Sequence, residues 1–227
     1  MTASEILLAV AANAKRRSGN TGTGRYLFVE IRGWYLNTTV VAGVGRSMMV
    51  EVHRRQWIAA DGSGRIMSVW GKTAHDDGHE EDREFGPGGL HLRWWPDTLS
   101  GHPGELRNQL LAGRRDGAPA RVLKAVAELY DEQPVAPAVA AAALRVVADL
   151  PGLHLDETAA QPGVQVSLSS DEEDSSWRYV LVFDEDTGLL ISSEQVLTRS
   201  TGYLANSVPC AVSRRFYLAA ARTNARA

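Results

Sequence analysis

The chain is poor in the residues that most often announce a chemistry. It has one cysteine in 227 residues, Cys210, so no internal disulfide can form, and without a second thiol a thiolate metal cluster is excluded. The surrounding Val208-Pro209-Cys210-Ala211-Val212 supplies no acidic or basic activator, and such a thiol behaves as a small hydrophobe. No uninterrupted apolar run approaches the ~18 residues of a membrane span. Charge of one sign is also lacking. With 24 Lys and Arg against 27 Asp and Glu, the net charge is −3, which leaves no electrostatic case for a nucleic-acid partner. The arginine pairs at 16–17, 54–55, 114–115 and 214–215 are scattered and read as solvated surface.

Catalytic signatures are missing as well. His53, His91, His102 and His154 form no His-Glu-x-x-His pair. Gly62-Ser63-Gly64 lacks the strand-to-helix elbow of a nucleophilic serine. Thr21-Gly22-Thr23-Gly24-Arg25 precedes a strand, whereas a phosphate-cradling loop follows one and opens a helix. The run from His75 to Asp82 is the one cluster with metal-ligand chemistry, but it contains a glycine and ends in Gly86-Pro87-Gly88-Gly89, so it reads as a solvated acidic loop. The expectation is therefore no catalytic residue, no metal and no cofactor, and a protein that is not an enzyme.

What is present is architectural. Hydrophobic residues at 44% and charged residues at 22% are ordinary globular values, and the length suits one domain over residues 1–227. Thr2-Ala3-Ser4-Glu5 fits a capping box, and Ile6, Leu7, Val10 and Ala14 recur at helical spacing, so the first helix runs to about Arg17. The charge of this segment follows its apolar part, which is not the order of a secretory signal. A first block of strands occupies residues 24–100: Arg25 to Thr39, Met48 to Ala60 and Arg65 to Gly71, the last two joined by the Asp61-Gly62-Ser63-Gly64 turn. Leu27, Val29 and Ile31 share one face of the first strand, and Tyr26, Phe28 and Trp34 the other. Lys72 to Gly89 reads as a mobile loop, and Leu90 to Trp95 as a short apolar segment.

Residues 105–152 hold three helical segments, Glu105 to Ala112, Pro119 to Tyr130 and Pro137 to Leu150. A second strand block over 162–220 follows: Val164 to Ser169, Trp177 to Asp184, Leu189 to Leu197 and Val212 to Leu218. Asp184-Glu185-Asp186-Thr187-Gly188 supplies another hairpin turn, and Trp177, Tyr179, Leu181 and Phe183 fall on one face. The order helix, strands, helices, strands predicts an α+β fold, with an antiparallel sheet and helices collected on one side.

Several of these segments also carry a resemblance. Gly24-Arg25-Tyr26-Leu27-Phe28-Val29 opening a strand, the run Arg55 to Arg65, and Leu181-Val182-Phe183-Asp184 with Thr187-Gly188-Leu189-Leu190 resemble a group of actinobacterial envelope proteins. These are membrane-anchored or anti-sigma-factor-associated. The likeness covers roughly residues 1–200 and rests on strand and turn residues. It implies a lipoprotein-carrier-like exterior domain, a curved antiparallel half-barrel around helices, and it brings no catalytic residue. The chain departs from the group in having no transmembrane helix and no lipobox cysteine, Cys210 lying near the other end. The expected setting is extracytoplasmic and membrane-associated if the chain is an exterior fragment, and soluble cytoplasmic otherwise.

Six tryptophans in a mostly β chain can serve as core or line a concave apolar cavity. The first functional expectation is a non-enzymatic binding or sensing domain that holds an acyl chain or a lipoprotein segment. Its groove between curved sheet and helices would be lined by Tyr26, Phe28, Trp34, Trp57, Trp70 and Trp94. The second is a protein–protein interaction module acting on a membrane or sigma-factor-pathway partner without a small ligand. The third is a metal-dependent hydrolase built on His75 and His79.

Overall fold

Thr2 and Glu5 close the capping box in both directions: the Glu5 amide donates to the Thr2 hydroxyl at 3.2 Å, and the Thr2 amide to the Glu5 carboxylate at 2.8 Å. They open α1 (Ala3–Arg16). The structure, a computed structural model, describes residues 1–16, 21–41, 44–72, 77–113, 117–156, 162–201 and 208–225. Nine antiparallel strands follow in one open, curved sheet: β1 (Tyr26–Val41), β2 (Val44–Ala59), β3 (Gly64–Trp70), β4 (His79–Phe85), β5 (His154–Leu155), β6 (Val164–Asp171), β7 (Ser175–Phe183), β8 (Leu190–Ser200) and β9 (Cys210–Thr223). Three helices lie between β4 and β5: α2 (Pro103–Leu111), α3 (Pro119–Glu132) and α4 (Pro137–Ala148). Each starts with a proline in its first turn, where the missing N–H is no loss.

The strand order is β4-β3-β2-β1-β9-β8-β7-β6-β5. Two meanders, one on each side of the helical segment in sequence, thus meet at a β1–β9 seam. The alternation of each strand then sorts its residues between two faces. The inner face carries Leu27, Val29, Ile31, Gly33 and Tyr35 of β1, which stand opposite or next to Ile58, Gln56, Arg54, Val52 and Val50 of β2. On the other meander it carries Val164, Val166 and Leu168, paired with Phe183, Leu181 and Tyr179. The helices cover this second half. α4 is apolar nearly all round and is buried among α1, α2 and α3, which is what an Ala- and Val-rich helix without a polar face requires.

The turns are fixed locally. In the β2–β3 hairpin, Asp61 accepts from the Ser63 amide at 2.9 Å and the Ser63 hydroxyl at 2.6 Å, and Gly62 takes φ +74°. In the β7–β8 turn, Gly188 sits at φ +66°, and a Cβ there would lie 2.6 Å from Ala14 Cβ and 2.8 Å from Leu144 Cδ1. Only glycine lets this turn pass under α1 and α4.

Three strand assignments differ from the sequence reading. The segment read as a mobile loop contains β4, whose charged run has low strand propensity but is held by pairing along the whole of β3 and by Arg65, which grips Asp82 with two bonds of 2.7 and 2.8 Å. β9 runs five residues past Leu218, through an alanine run of weak strand preference that β1 templates. β5, two residues long, has no sequence signal of its own.

Candidate functional site

The inner face is polar where α3 ends. The last four carbonyls of a helix lack partners within it, and here the sheet supplies them. Arg54 Nη2 donates to the Asp131 carbonyl at 3.0 Å, and Gln56 Nε2 donates to the Asp131 and Glu132 carbonyls, each at 3.1 Å. Arg54 thereby also sets a positive charge at the negative end of the helix dipole. From β9, Arg215 pairs with the Asp131 carboxylate, both side chains being largely enclosed. Burial pushes the Asp131 carboxyl above its ordinary range, while Arg215 and then Arg54 pull it back. The Tyr217 hydroxyl donates to the Ala127 carbonyl at 3.2 Å and lies 3.0 Å from Ser193 Oγ. Burial drives the Tyr130 and Tyr217 phenols up, so both stay neutral. The cluster is a clamp that fixes α3 across the β1–β9 seam.

Immediately beyond the clamp, residues 133–136 turn the chain into α4 and form one wall of a cleft. The opposite wall is a gap in the sheet. β8 and β9 pair from Leu197–Cys210 to Ser192–Phe216, but β8 begins at Leu190, at the tip of the β7–β8 hairpin, while β9 continues to Thr223 against β1, with a bridge from Gly22 to Arg222 on its other side. A bulge between Glu30 and Ile31 shifts the β1–β9 register where the two strands part. The resulting cavity of about 570 Å³ is lined by Val29, Tyr130, Val135, Leu189, Leu190 and the Leu218–Ala221 run, among others. It adjoins a second cavity of about 470 Å³ that shares Thr21, Gly22, Pro134 and Val135 and extends towards Pro96 and Val139. Together they form an elongated, mainly apolar trough along one end of the molecule.

The structure does not bring the six aromatic residues expected to line a groove into one place. Tyr26 and Trp57 are buried with Ala59 on the outer face of the sheet, with Phe28 and Met67 packed against them, and the Phe28 and Trp57 ring centroids are 5.0 Å apart. Trp34, also on the outer face, meets Phe216 edge-on at 5.7 Å and lies under Arg32. Trp70 is on the inner face near the β4 edge, 37% exposed and stacked on His79 at 5.6 Å. Trp94 is in the helical core, its indole donating to the Gln109 carbonyl at 2.9 Å. None of the six lines either cavity of the trough.

The sequence reading missed the trough's own residues. Leu218-Ala219-Ala220-Ala221 carries the one available signal, an uncharged run between Arg215 and Arg222 in a strand. Among the described residues no group of three or more His, Cys, Asp or Glu side chains could hold a metal; His75 lies outside them, and His79 is engaged by Trp70 and lies 3.8 Å from Glu81. Cys210 is half-buried, and burial pushes its thiol up, away from a reactive thiolate.

No protein-family model matches the chain, and no curated protein matches it. Among solved structures it is similar to the crystal structure of MucB. The TM-score is 0.31 and the identity 14%, over 99% of this chain and 60% of that one. The chain thus spans under two thirds of that neighbour's length. At this TM-score the likeness brings no property across. Among the described residues no helix is long and apolar enough to cross a membrane.

Proposed function

We propose that the chain is a non-enzymatic binding domain that holds an apolar ligand, an acyl chain or an apolar protein segment, in the trough between the β8–β9 gap and the turn from α3 to α4. The observation that carries this reading is the cavity of about 570 Å³ with its mainly aliphatic lining. Ligand sites are commonly of this size and character. The Asp131–Arg215 clamp supports it, because a site is only as well defined as its walls, and the clamp holds the helical wall to the sheet.

Burying about 300 Å² of apolar ligand surface contributes about 7 kcal/mol. Ordering the ligand offsets part of that, so micromolar to high-micromolar affinity is expected.

Titration with the apolar dye Nile red tests the reading. Saturable binding is expected, weakened at least tenfold by Val135→Asp in the wall. Ala220→Leu should weaken it as well, filling the trough from a strand position that is exposed and tolerant. Absence of saturable binding, or equal binding by both variants, overturns it.

A further inference from the structure

Among the described residues, strand edges are unpaired along β4, along β5, along the projecting part of the β1–β2 hairpin (36–41 and 44–50) and along the end of β9, and they are not alike. β4 ends the sheet on one side with the sequence His79-Glu80-Glu81-Asp82-Arg83-Glu84-Phe85, whose charge discourages another strand from adding to it. β5 ends it on the other side and is only two residues long. Proteins guard sheet edges by such charge and shortness. The edge that borders the cavity of about 570 Å³ is the part of β9 beyond the β7–β8 tip. It has neither guard: Leu218 is 52% exposed, Ala219 and Ala220 are exposed, and Leu218–Ala221 carries no charge.

The direction of its backbone groups can be read from one bond. The Arg222 amide donates to the Thr21 carbonyl at 2.6 Å, away from β1, within a parallel bridge between Gly22 and Arg222. In an extended strand the amide two residues earlier points the same way, so the N–H and C=O of Ala220 face the gap and not the β1 pairing. No strand pairs with this edge at Ala220 among the described residues. The Thr21–Gly22 bridge shows that the edge accepts extended chain, and the trough floor beneath Ala220 is apolar.

The geometry points to an extended peptide segment of a partner protein as the occupant, added as a strand to β9 at Leu218–Ala221, with alternate aliphatic side chains entering the trough. This rests on the binding reading above and names its ligand class. An acyl chain can fill the trough but leaves the Ala220 N–H and C=O without partners. The edge shares its cavity with Thr187 and Leu189 of the β7–β8 turn on one side and Thr21 and Gly22 on the other, a setting that suits a thin extended segment better than the sheet edge of a second folded copy. The open stretch is four residues, about 13 Å of strand, which suits a short linear segment.

The test uses an eight-residue peptide of alternating alanine and valine with a lysine at each end, alongside Nile red. Ala220→Pro removes the edge-facing N–H and leaves the amides that face β1, the one kind of position where a strand tolerates proline. The expected result is saturable peptide binding that slows exchange of the Ala220 amide. Ala220→Pro should weaken it at least tenfold with the amides of β7 still protected from exchange. N-methylating one set of alternate peptide amides should abolish binding, and methylating the other set should not. Nile red binding without peptide binding overturns the strand-addition proposal and leaves the apolar site standing. Equal peptide affinity for Ala220→Pro, equal effects of the two methylation patterns, or dimerisation through this edge also overturns it. Failure of both ligands overturns the site itself.

Discussion

At the scale of single residues, four positions have consequences that can be measured. Arg215 and Asp131 neutralise one another in a largely enclosed setting, with side-chain exposures of 13% and 15%. Removing one partner strands the other, so Asp131→Ala is expected to destabilise the fold by about 3–5 kcal/mol. The double replacement Asp131→Leu with Arg215→Met should recover much of that loss in urea unfolding. Gly188 is a positive-φ position pressed against Ala14 and Leu144. Gly188→Ala combines backbone strain with overpacking and should cost on the order of 2–4 kcal/mol.

Asp156 gives a pH dependence. Burial pushes its carboxyl up, but hydrogen bonds from Gln165 at 3.1 Å and Arg178 at 2.5 Å outweigh it, and its pKa is lowered. A carboxyl with a lowered native pKa adds stability that is complete above its unfolded pKa, about 3.9, and is lost as pH falls through the native value. Denaturation midpoints measured between pH 7 and 2 should therefore fall less steeply for Asp156→Asn than for the unaltered chain below about pH 4.

At the scale of elements, the sequence was informative wherever a local rule decided the outcome. The capping box at Thr2, the prolines opening α3 and α4 and the Asp61-Gly62 turn all depend on residues within four positions of one another, and all are found, whereas α2 starts at Pro103, two residues before the Glu105 expected. Elements held by neighbours were opaque. β4 exists because β3 offers a full row of partners and Arg65 reaches Asp82. The end of β9 exists because β1 continues beside it. Replacing Arg65 with Ala should loosen β4 selectively, raising hydrogen exchange over His79–Phe85 while the amides of β7 stay protected. The candidate site was opaque for a related reason. Alternation correctly put Tyr26, Phe28 and Trp34 on one face of β1, but only the position of the helices shows that this is the outer face. The trough arises from a mismatch in length between β8 and β9 at their shared end, which no residue encodes alone.

At the scale of the whole molecule, two meanders are joined at one strand pair, with the helical layer over one of them and its clamp across the join. The helices leave the β8–β9 gap uncovered, and its lining is richer in aliphatic side chains than the smaller cavities of about 230 and 370 Å³ beside the β2–β3 turn. The proposed ligand site lies there, and not on the aromatic cluster of the outer face. Methyl-detected NMR during titration with decanoate or the alanine–valine peptide compares the two places directly. The predicted result is that methyl signals of Val29, Val135, Leu189, Leu190 and Ile191 move together and saturate, while Met67 beside Trp57 stays still. Shifts centred on Met67, or none at the five trough residues, would contradict it.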